Sequence, residues 1–165
     1  MFSIQDFVKL GLKRNINELV EHGCGSLVLN IGAGKAPIEG TVAIDYPEWD
    51  AETMPLNFED GSVAGIHAYH FLEHVSKPTD VLREFERVLQ KGGYINIVVP
   101  YYNSNLQAQD LTHVSAFSEE TFPALLRQGA WYSKGWQPWD LQINANFILG
   151  VAERNLCLFT QLVKV

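Results

Sequence analysis

The chain has 165 residues, of which 47% are hydrophobic, and a formal net charge of -7. This length can bury one substantial core without disulfides, so we expect a single domain over residues 1–165. Acidic residues outnumber basic ones 19 to 12 with no basic cluster, which disfavours a nucleic-acid partner. Charges near the N-terminus and the lack of a long apolar run predict a cytoplasmic protein with no membrane segment. Cys24 and Cys157 are far apart, which disfavours a disulfide framework.

The first part of the chain is predicted to contain one helix and two strands. Apolar spacing favours a helix over residues 1–22, and the short apolar run 26–31 (SLVLNI) predicts a buried strand. A second strand follows at 41–45 (TVAID). Only nine residues, 32–40, separate these strands, and Pro37 is among them. The first crossover helix should therefore be reduced or missing.

The middle of the chain predicts a strand, a helix and another strand. Residues 63–69 (VAGIHAY) form the first of these strands. Ser76 is positioned to cap the helix, Pro78 suits its first turn, and the pair 92–93 (Gly-Gly) should end it. The run 94–99 (YINIVV) then predicts the clearest strand of the chain.

The last third of the chain completes the predicted fold. A loop over 101–117 should precede a short helix that Ser118 opens. Residues 123–165 are expected to hold the end of that helix and two strands, 141–149 and 156–165, paired antiparallel. The sequence therefore predicts an α/β domain with a Rossmann-like open sheet, mostly parallel with an antiparallel C-terminal hairpin.

Three candidate ligand groups follow predicted strands, and ligands of such sheets bind beyond the carboxyl ends of the strands. Gly32 and Gly34 would let the backbone approach a ligand closely, although they could instead only shape a turn. Asp45 could accept hydrogen bonds from ribose hydroxyls, or be a solvated turn residue. A carboxylate in the segment 50–52 could bind an adenine amino group. Pro37 stands in place of a third glycine, which disfavours a pyrophosphate ligand.

Four segments in order resemble the class I S-adenosylmethionine-dependent methyltransferases, in particular their compact methyltransferase type 11-like branch. They are LVLNIGAG, VAID, DAETMPLNFEDGSVAGIHAYHFLEHV and VLREFERVLQKGGYINIVVP, and the resemblance covers roughly residues 26–122. It implies that S-adenosylmethionine is the cofactor and that its methyl group is transferred to an acceptor. The acceptor is expected to be a small molecule or a group presented on a surface.

The resemblance also implies a set of cofactor-binding residues. Gly32 and Gly34 would line the methionine portion, Asp45 the ribose, and Asp50 with Ala51 the adenine. The remaining two are His70, which would face the sulfonium, and Asn30, which stands where the family often has an acid near the methionine amine.

The segment 70–74 (HFLEH) also matches HxxEH, a pattern of inverted zinc-peptidase sites. A zinc hydrolase is thus an alternative function. Such a site requires a long helix that presents both histidines and a third ligand elsewhere. The segment instead follows directly on a predicted strand, so we expect no metal site, and structural roles for Glu73 and His74.

Asp110 and His113 lie in the loop beyond the strand 94–99, on the expected active-site side. A carboxylate that orients an imidazole can serve as a general-base pair, so we predict His113 as base with Asp110 as its partner and His70 as the second choice. A purely structural role, with His113 bonded to backbone, is an equal alternative.

Partners are less defined by the sequence. A chain this short leaves little room for a substrate-recognition domain, so a non-catalytic partner or regulatory subunit that binds the cofactor is the main alternative function. The Trp-rich segment 131–139 could line a substrate pocket or form an interface, and a homodimer is one arrangement that it would allow.

Overall fold

The computed structural model describes residues 27–35, 37–53, 55–127, 137–152 and 155–165. The helix predicted over residues 1–22 and two tryptophans, Trp131 and Trp136, lie outside these described residues. No helix within the described ranges is long and apolar enough to cross a membrane.

The described residues form a six-stranded mixed sheet with the strand order β2-β1-β3-β4-β6-β5. The first four strands are parallel, β6 is antiparallel to β4, and β5 is antiparallel to β6. This arrangement confirms the predicted Rossmann-like sheet with an antiparallel C-terminal hairpin. The strands are β1 (Val28–Ile31), β2 (Val42–Ile44), β3 (Val63–Tyr69), β4 (Leu89–Pro100), β5 (Leu141–Ala152) and β6 (Asn155–Lys164).

The connection from β1 to β2 contains turns and no helix in its described residues, as predicted. Two hydrogen bonds hold this short connection in place. The Gly32 amide donates to the Ile44 carbonyl at 2.9 Å, and the Ile38 amide donates to Asn30 Oδ1 at 3.0 Å. The connection can be short because β1 and β2 pair over only three residues on each strand.

Helix α1 (Pro78–Val88) packs its apolar stripe on the sheet, but two predictions about its ends were wrong. Its N-cap is Lys77, because both the amide and the hydroxyl of Ser76 instead donate to the Glu52 carboxylate. At the other end the chain enters β4 directly at Leu89, which pairs with Val63. The glycine pair 92–93 therefore lies inside a strand and does not end the helix.

Three short helical elements follow strands at the carboxyl edge of the sheet. They are a 3-10 turn (Leu72–His74), α2 (Asn105–Ala108) and α3 (Thr121–Arg127). The predicted loop 101–117 thus contains α2, which Ser104 caps by accepting a hydrogen bond from the Gln107 amide. Ser118 does not open α3 as predicted, because the helix begins at Thr121, whose hydroxyl accepts the Ser118 amide proton instead.

The core lies between α1 and the central strands, where the largest side chains are fully buried. A charged cluster attaches the segment before β3 to α1. Arg87 pairs with Glu84 at 2.6 Å and donates to the Leu56 and Phe58 carbonyls, and Glu84 accepts the Leu56 amide proton. Hydrogen bonds from Arg87 hold the pKa of Glu84 below its usual range. These contacts fix the segment before β3 to α1. They lie at the opposite end of β3 from the candidate site.

Candidate functional site

Three neighbouring strands end at one edge of the sheet and deliver three of the predicted cofactor-binding segments there. Ile31 in β1 is in register with Ile44 in β2 and with Ala68 in β3. All three strands are parallel, so the residues that follow them emerge at the same edge. Gly32, Asp45 and His70 are therefore neighbours in space.

The glycine loop after β1 adopts a backbone conformation that favours glycine. Gly32 and Gly34 have φ values of +66° and +56°. A Cβ on Gly32 would lie 2.9 Å from Phe71 Cδ2, whereas a Cβ on Gly34 would meet nothing within 4 Å. The two glycines thus have different roles: both allow the turn, and Gly32 also allows Phe71 to pack directly on the loop.

The Asp45 carboxylate joins the ends of β1 and β2. Its Oδ2 accepts the Gly34 amide proton at 2.6 Å, and its Oδ1 accepts the Tyr46 amide proton at 2.9 Å. The side chain is half-buried. Each carboxylate oxygen can accept a second hydrogen bond, so Asp45 can still receive two hydroxyl donors.

The two carboxylates of the segment after β2, Asp50 and Glu52, have different roles. Glu52 accepts hydrogen bonds from the Ser76 hydroxyl and amide, which lower the pKa of Glu52 and attach this segment to the start of α1. Asp50 uses Oδ1 to accept the Glu52 amide proton at 2.9 Å and is half-buried, as is Ala51. Asp50 therefore retains the acceptor capacity that an adenine amino group needs.

Asn30 is buried, and its Oδ1 accepts the Ile38 amide proton. It therefore shapes the connection that carries the glycine loop, in addition to any contact with a ligand. His70 has a positive φ of 52°, and its amide donates to the Val98 carbonyl at 2.7 Å. Its Nδ1 lies 3.2 Å from Glu73 Oε1. His70 is thus held at the end of β3, beside Phe71 and the glycine loop.

The HxxEH segment does not form the helix that an inverted zinc-peptidase site requires. Only Leu72–His74 are helical, as a 3-10 turn, and His70 precedes that turn. The two histidines of the pattern are therefore not presented from one long helix. This local geometry argues against the zinc-hydrolase alternative in its predicted form.

The structure brings His113 to this same segment, a grouping that the sequence did not predict. The amides of Val114 and Ser115 donate to the Glu73 carbonyl at 2.8 and 3.1 Å. The ring of His113 then lies against that of His74, with centroids 4.7 Å apart. Two stretches of loop, after β3 and after α2, are joined here by backbone hydrogen bonds.

The predicted pair of Asp110 and His113 is close but loosely connected. Asp110 Oδ2 lies 3.9 Å from His113 Nε2, beyond hydrogen-bond distance. Asp110 mainly accepts hydrogen bonds from the Thr112 hydroxyl and amide, which lower the pKa of Asp110. His113 Nδ1 donates to the Gln107 carbonyl at 3.1 Å, because a carbonyl can only accept. Nε2 is then the basic nitrogen of His113.

An open depression of about 360 Å³ lies beyond the end of β4. Tyr101, Tyr102 and residues of the stretch 116–121 line it. The Tyr101 hydroxyl donates to Glu119 Oε2, which raises the pKa of Tyr101 to about 12. This surface offers aromatic and acidic groups at the same edge as the glycine loop.

A buried polar chain within the sheet was missed by the sequence analysis. His67 in β3 lies 2.9 Å from the Tyr69 hydroxyl, and Gln161 in β6 donates to Asn96 in β4 at 2.8 Å. Burial lowers the pKa of His67 to about 4, so this side chain is neutral near pH 7. The sequence did carry a signal, because polar residues stand at alternating positions within these strands. They were overlooked because the surrounding residues are mostly apolar.

Comparisons with known proteins concern the sequence family and the fold of this chain. Residues 27–97 match a family model described as a methyltransferase domain. An uncharacterized 37.1 kDa protein in transposon TN4556 of Streptomyces fradiae is 30% identical over 92 residues, which cover 55% of this chain and 26% of that protein. The match thus spans about a quarter of that relative's length.

Solved structures share the fold at low sequence identity. A SAM-dependent methyltransferase from Aquifex aeolicus is 16% identical, with 100% of each chain covered and a TM-score of 0.63. A chain from a complex of the Haloferax volcanii Trm112 methyltransferase activator is 13% identical, covering 97% of this chain and 95% of that one, with a TM-score of 0.62.

Proposed function

We propose that the chain is a class I S-adenosylmethionine-dependent methyltransferase and that it binds S-adenosylmethionine at the edge formed by β2, β1 and β3, because residues 27–97 match a methyltransferase-domain model. We further propose that it transfers the methyl group to a small or surface-presented acceptor. The observation that supports this most strongly is the bond between Asp45 Oδ2 and the Gly34 amide, which joins the glycine loop to the acidic strand end.

The residues present fit this cofactor better than a dinucleotide. S-adenosylmethionine has no phosphate, and the described residues between β1 and β2 form no helix whose N-terminus could bind one. Asp45 keeps a lone pair on each oxygen for the ribose hydroxyls, and Asp50 keeps acceptor capacity for the adenine amino group. His70, at the end of β3, would border the methyl-donating sulfonium.

The bound cofactor would supply an activated methyl group on its sulfonium. The chain itself would then contribute mainly by positioning the acceptor in line and excluding water. An acceptor that must lose a proton also requires a base. We propose His113 Nε2 for this role, with Asp110 stabilising the resulting imidazolium from 3.9 Å, and His70 as the second candidate.

The cofactor site is tested by calorimetric titration of the wild-type chain with S-adenosylhomocysteine. The test variant is Asp45→Asn, which keeps one carbonyl oxygen but removes the charge that ribose hydroxyls would meet. Hydrogen bonds to a charged group contribute about 1.5–3 kcal/mol each, so affinity should fall about tenfold to a hundredfold. Glu48→Gln, an exposed charge removal in the same loop, is the matched control and should bind like wild type.

Two results would contradict the proposed site. Folded wild type that binds no S-adenosylhomocysteine would refute cofactor binding here. Equal affinity in Asp45→Asn and Glu48→Gln would remove Asp45 from the site while leaving cofactor binding intact. The two outcomes therefore separate the function from the residue assignment.

A second candidate function is a cofactor-binding partner in a complex. The observation that favours it is the similar fold in a complex with the Trm112 methyltransferase activator. Without its partner, a chain of this kind would bind S-adenosylhomocysteine but would not transfer a methyl group from S-adenosylmethionine to any acceptor tested. Turnover by the isolated chain would exclude this candidate.

A further inference from the structure

Three side chains from two separate loops converge beside the end of β3. A carboxylate oxygen of Glu73 and one ring nitrogen each of His74 and His113 all lie within 4.8 Å of one another. Glu73 and His74 belong to the 3-10 turn, whereas His113 follows α2. His70, the other histidine of the HxxEH pattern, is not part of this group.

Hydrogen bonds fix Nδ1 as the protonated nitrogen in the rings of both His74 and His113. His113 Nδ1 must donate in its bond to the Gln107 carbonyl. The Thr112 hydroxyl donates to Asp110 Oδ1 at 2.7 Å, so it accepts from His74 Nδ1 at 3.0 Å. Each ring therefore retains an unprotonated nitrogen. Histidines that bind metals characteristically donate their other ring N–H to a carboxylate, a backbone carbonyl or water, and His113 follows this rule.

The carboxylate of Glu73 is fully buried, and its two oxygens are only partly satisfied by hydrogen bonds. Its Oε1 lies 3.2 Å from His70 Nδ1, but its Oε2 has no hydrogen-bond partner among the described residues. An unpartnered buried carboxylate oxygen is costly and calls for a compensating charge. A cation held between Glu73 and the two rings would supply that charge.

We propose that Glu73, His74 and His113 form a binding site for a divalent transition-metal ion of the zinc type. Two imidazoles and one carboxylate are a donor set that suits Zn²⁺ and its neighbours, whereas Mg²⁺ and Ca²⁺ prefer oxygen ligands alone. His74 is exposed, which gives the ion a path from solvent. Three protein ligands leave a coordination position open.

The ion would connect the turn after β3 to the loop after α2, next to the proposed cofactor site. It would also occupy the unprotonated nitrogen of His113, the atom that a general base needs. Metal binding and proton abstraction by His113 are therefore mutually exclusive. The site itself is defined by its ligands and can be tested without any activity.

The test uses the tag-free chain of 165 residues after removal of metals with a chelator. Zn²⁺ is titrated calorimetrically, and Co²⁺ is added in parallel because its visible absorption reports nitrogen and oxygen ligation. We expect one equivalent of Zn²⁺ to bind, without competition from Mg²⁺. His74→Ala should weaken binding at least tenfold and abolish the Co²⁺ absorption, and this exposed position can be changed without disturbing the core.

His70→Ala is the matched control, since it removes a neighbouring histidine outside the group. Because His70 Nδ1 contacts the ligand Glu73, Zn²⁺ affinity should fall in His70→Ala, but by less than in His74→Ala. A site built on both histidines of HxxEH would instead lose binding equally in the two variants. His113→Gln should lose binding as His74→Ala does, with circular dichroism confirming that both variants fold. Absence of Zn²⁺ binding by wild type, unchanged binding in His74→Ala, or equal loss in His70→Ala would each overturn the proposed site.

Discussion

Replacing Gly32 with alanine tests how the glycine loop is packed. The residue has a φ of +66°, and an alanine Cβ would lie 2.9 Å from Phe71 Cδ2 and 3.1 Å from Phe71 Cβ. A left-handed conformation costs an L residue about 1–2 kcal/mol, and overpacking a close contact costs about 1–3 kcal/mol more. Alanine also restricts the conformations of the unfolded chain, which offsets up to about 1 kcal/mol of this destabilisation. We therefore expect Gly32→Ala to lower the free energy of unfolding by about 2–4 kcal/mol.

Gly34→Ala is the matched control, because it isolates the backbone cost. Gly34 has a similar φ of +56°, but a Cβ there would meet nothing within 4 Å. The expected loss is about 1 kcal/mol, from the same conformational costs without the clash. The difference between the two variants measures the contact with Phe71.

Urea unfolding followed by circular dichroism gives both free energies. The double variant Gly32→Ala/Phe71→Ala should destabilise by less than the sum of its two single changes, because removing the ring removes the clash. Equal stability of Gly32→Ala and Gly34→Ala, or strict additivity in the double variant, would refute the packing described here. S-adenosylhomocysteine titration of both variants then shows whether the same contact shapes the cofactor site.

Three further predictions follow from individual contacts. The pKa of His67 is about 4 in the folded protein, against an ordinary value of 6.5 in the unfolded chain. As the pH falls, the unfolded chain takes up this proton before the folded protein does, so the free energy of unfolding should fall by about 2–3 kcal/mol between pH 7.5 and pH 4.5. Urea titrations at both pH values should show a smaller fall in His67→Asn. Ser76→Ala should raise the pKa of Glu52 toward its usual value, as measured by NMR titration, because the hydroxyl is the main cause of its lowering. His113→Gln should reduce turnover on a proton-losing acceptor at least a hundredfold, while S-adenosylhomocysteine affinity, measured calorimetrically, stays within about twofold.

The parts of the fold that depend on local periodicity could be predicted. Strand β3 was predicted as 63–69, the range that the structure shows, because a buried run bounded by polar residues is distinctive. The missing crossover helix followed from a connection too short to hold one. The position of Gly32 and Asp45 after strands of one sheet followed from the rule that ligand groups lie beyond the carboxyl ends of parallel strands.

Features that depend on contacts between distant segments could not be predicted. Ser76 has the chemistry of a helix cap, but Glu52, 24 residues earlier, takes both of its donors. The glycines at 92–93 are typical of a helix end, yet β3 pairs with the residues on either side of them. A Cβ on Gly93 would lie 2.9 Å from the Ala64 carbonyl oxygen, so glycine here reflects close strand packing. Local propensity gives way where tertiary pairing is stronger.

The grouping of Glu73, His74 and His113 has the same origin, and its histidine pair differs from the pair in the HxxEH pattern. HxxEH directs attention to His70 and His74, which are close in the chain. The structure instead recruits His113, because the Val114 and Ser115 amides bind the Glu73 carbonyl. These are backbone hydrogen bonds, so the three side chains are brought together whether or not an ion or a methyl acceptor is present. Such convergence is preorganised, and the chemistry at this edge should depend more on Glu73 and His74 than their positions in a sequence motif suggest.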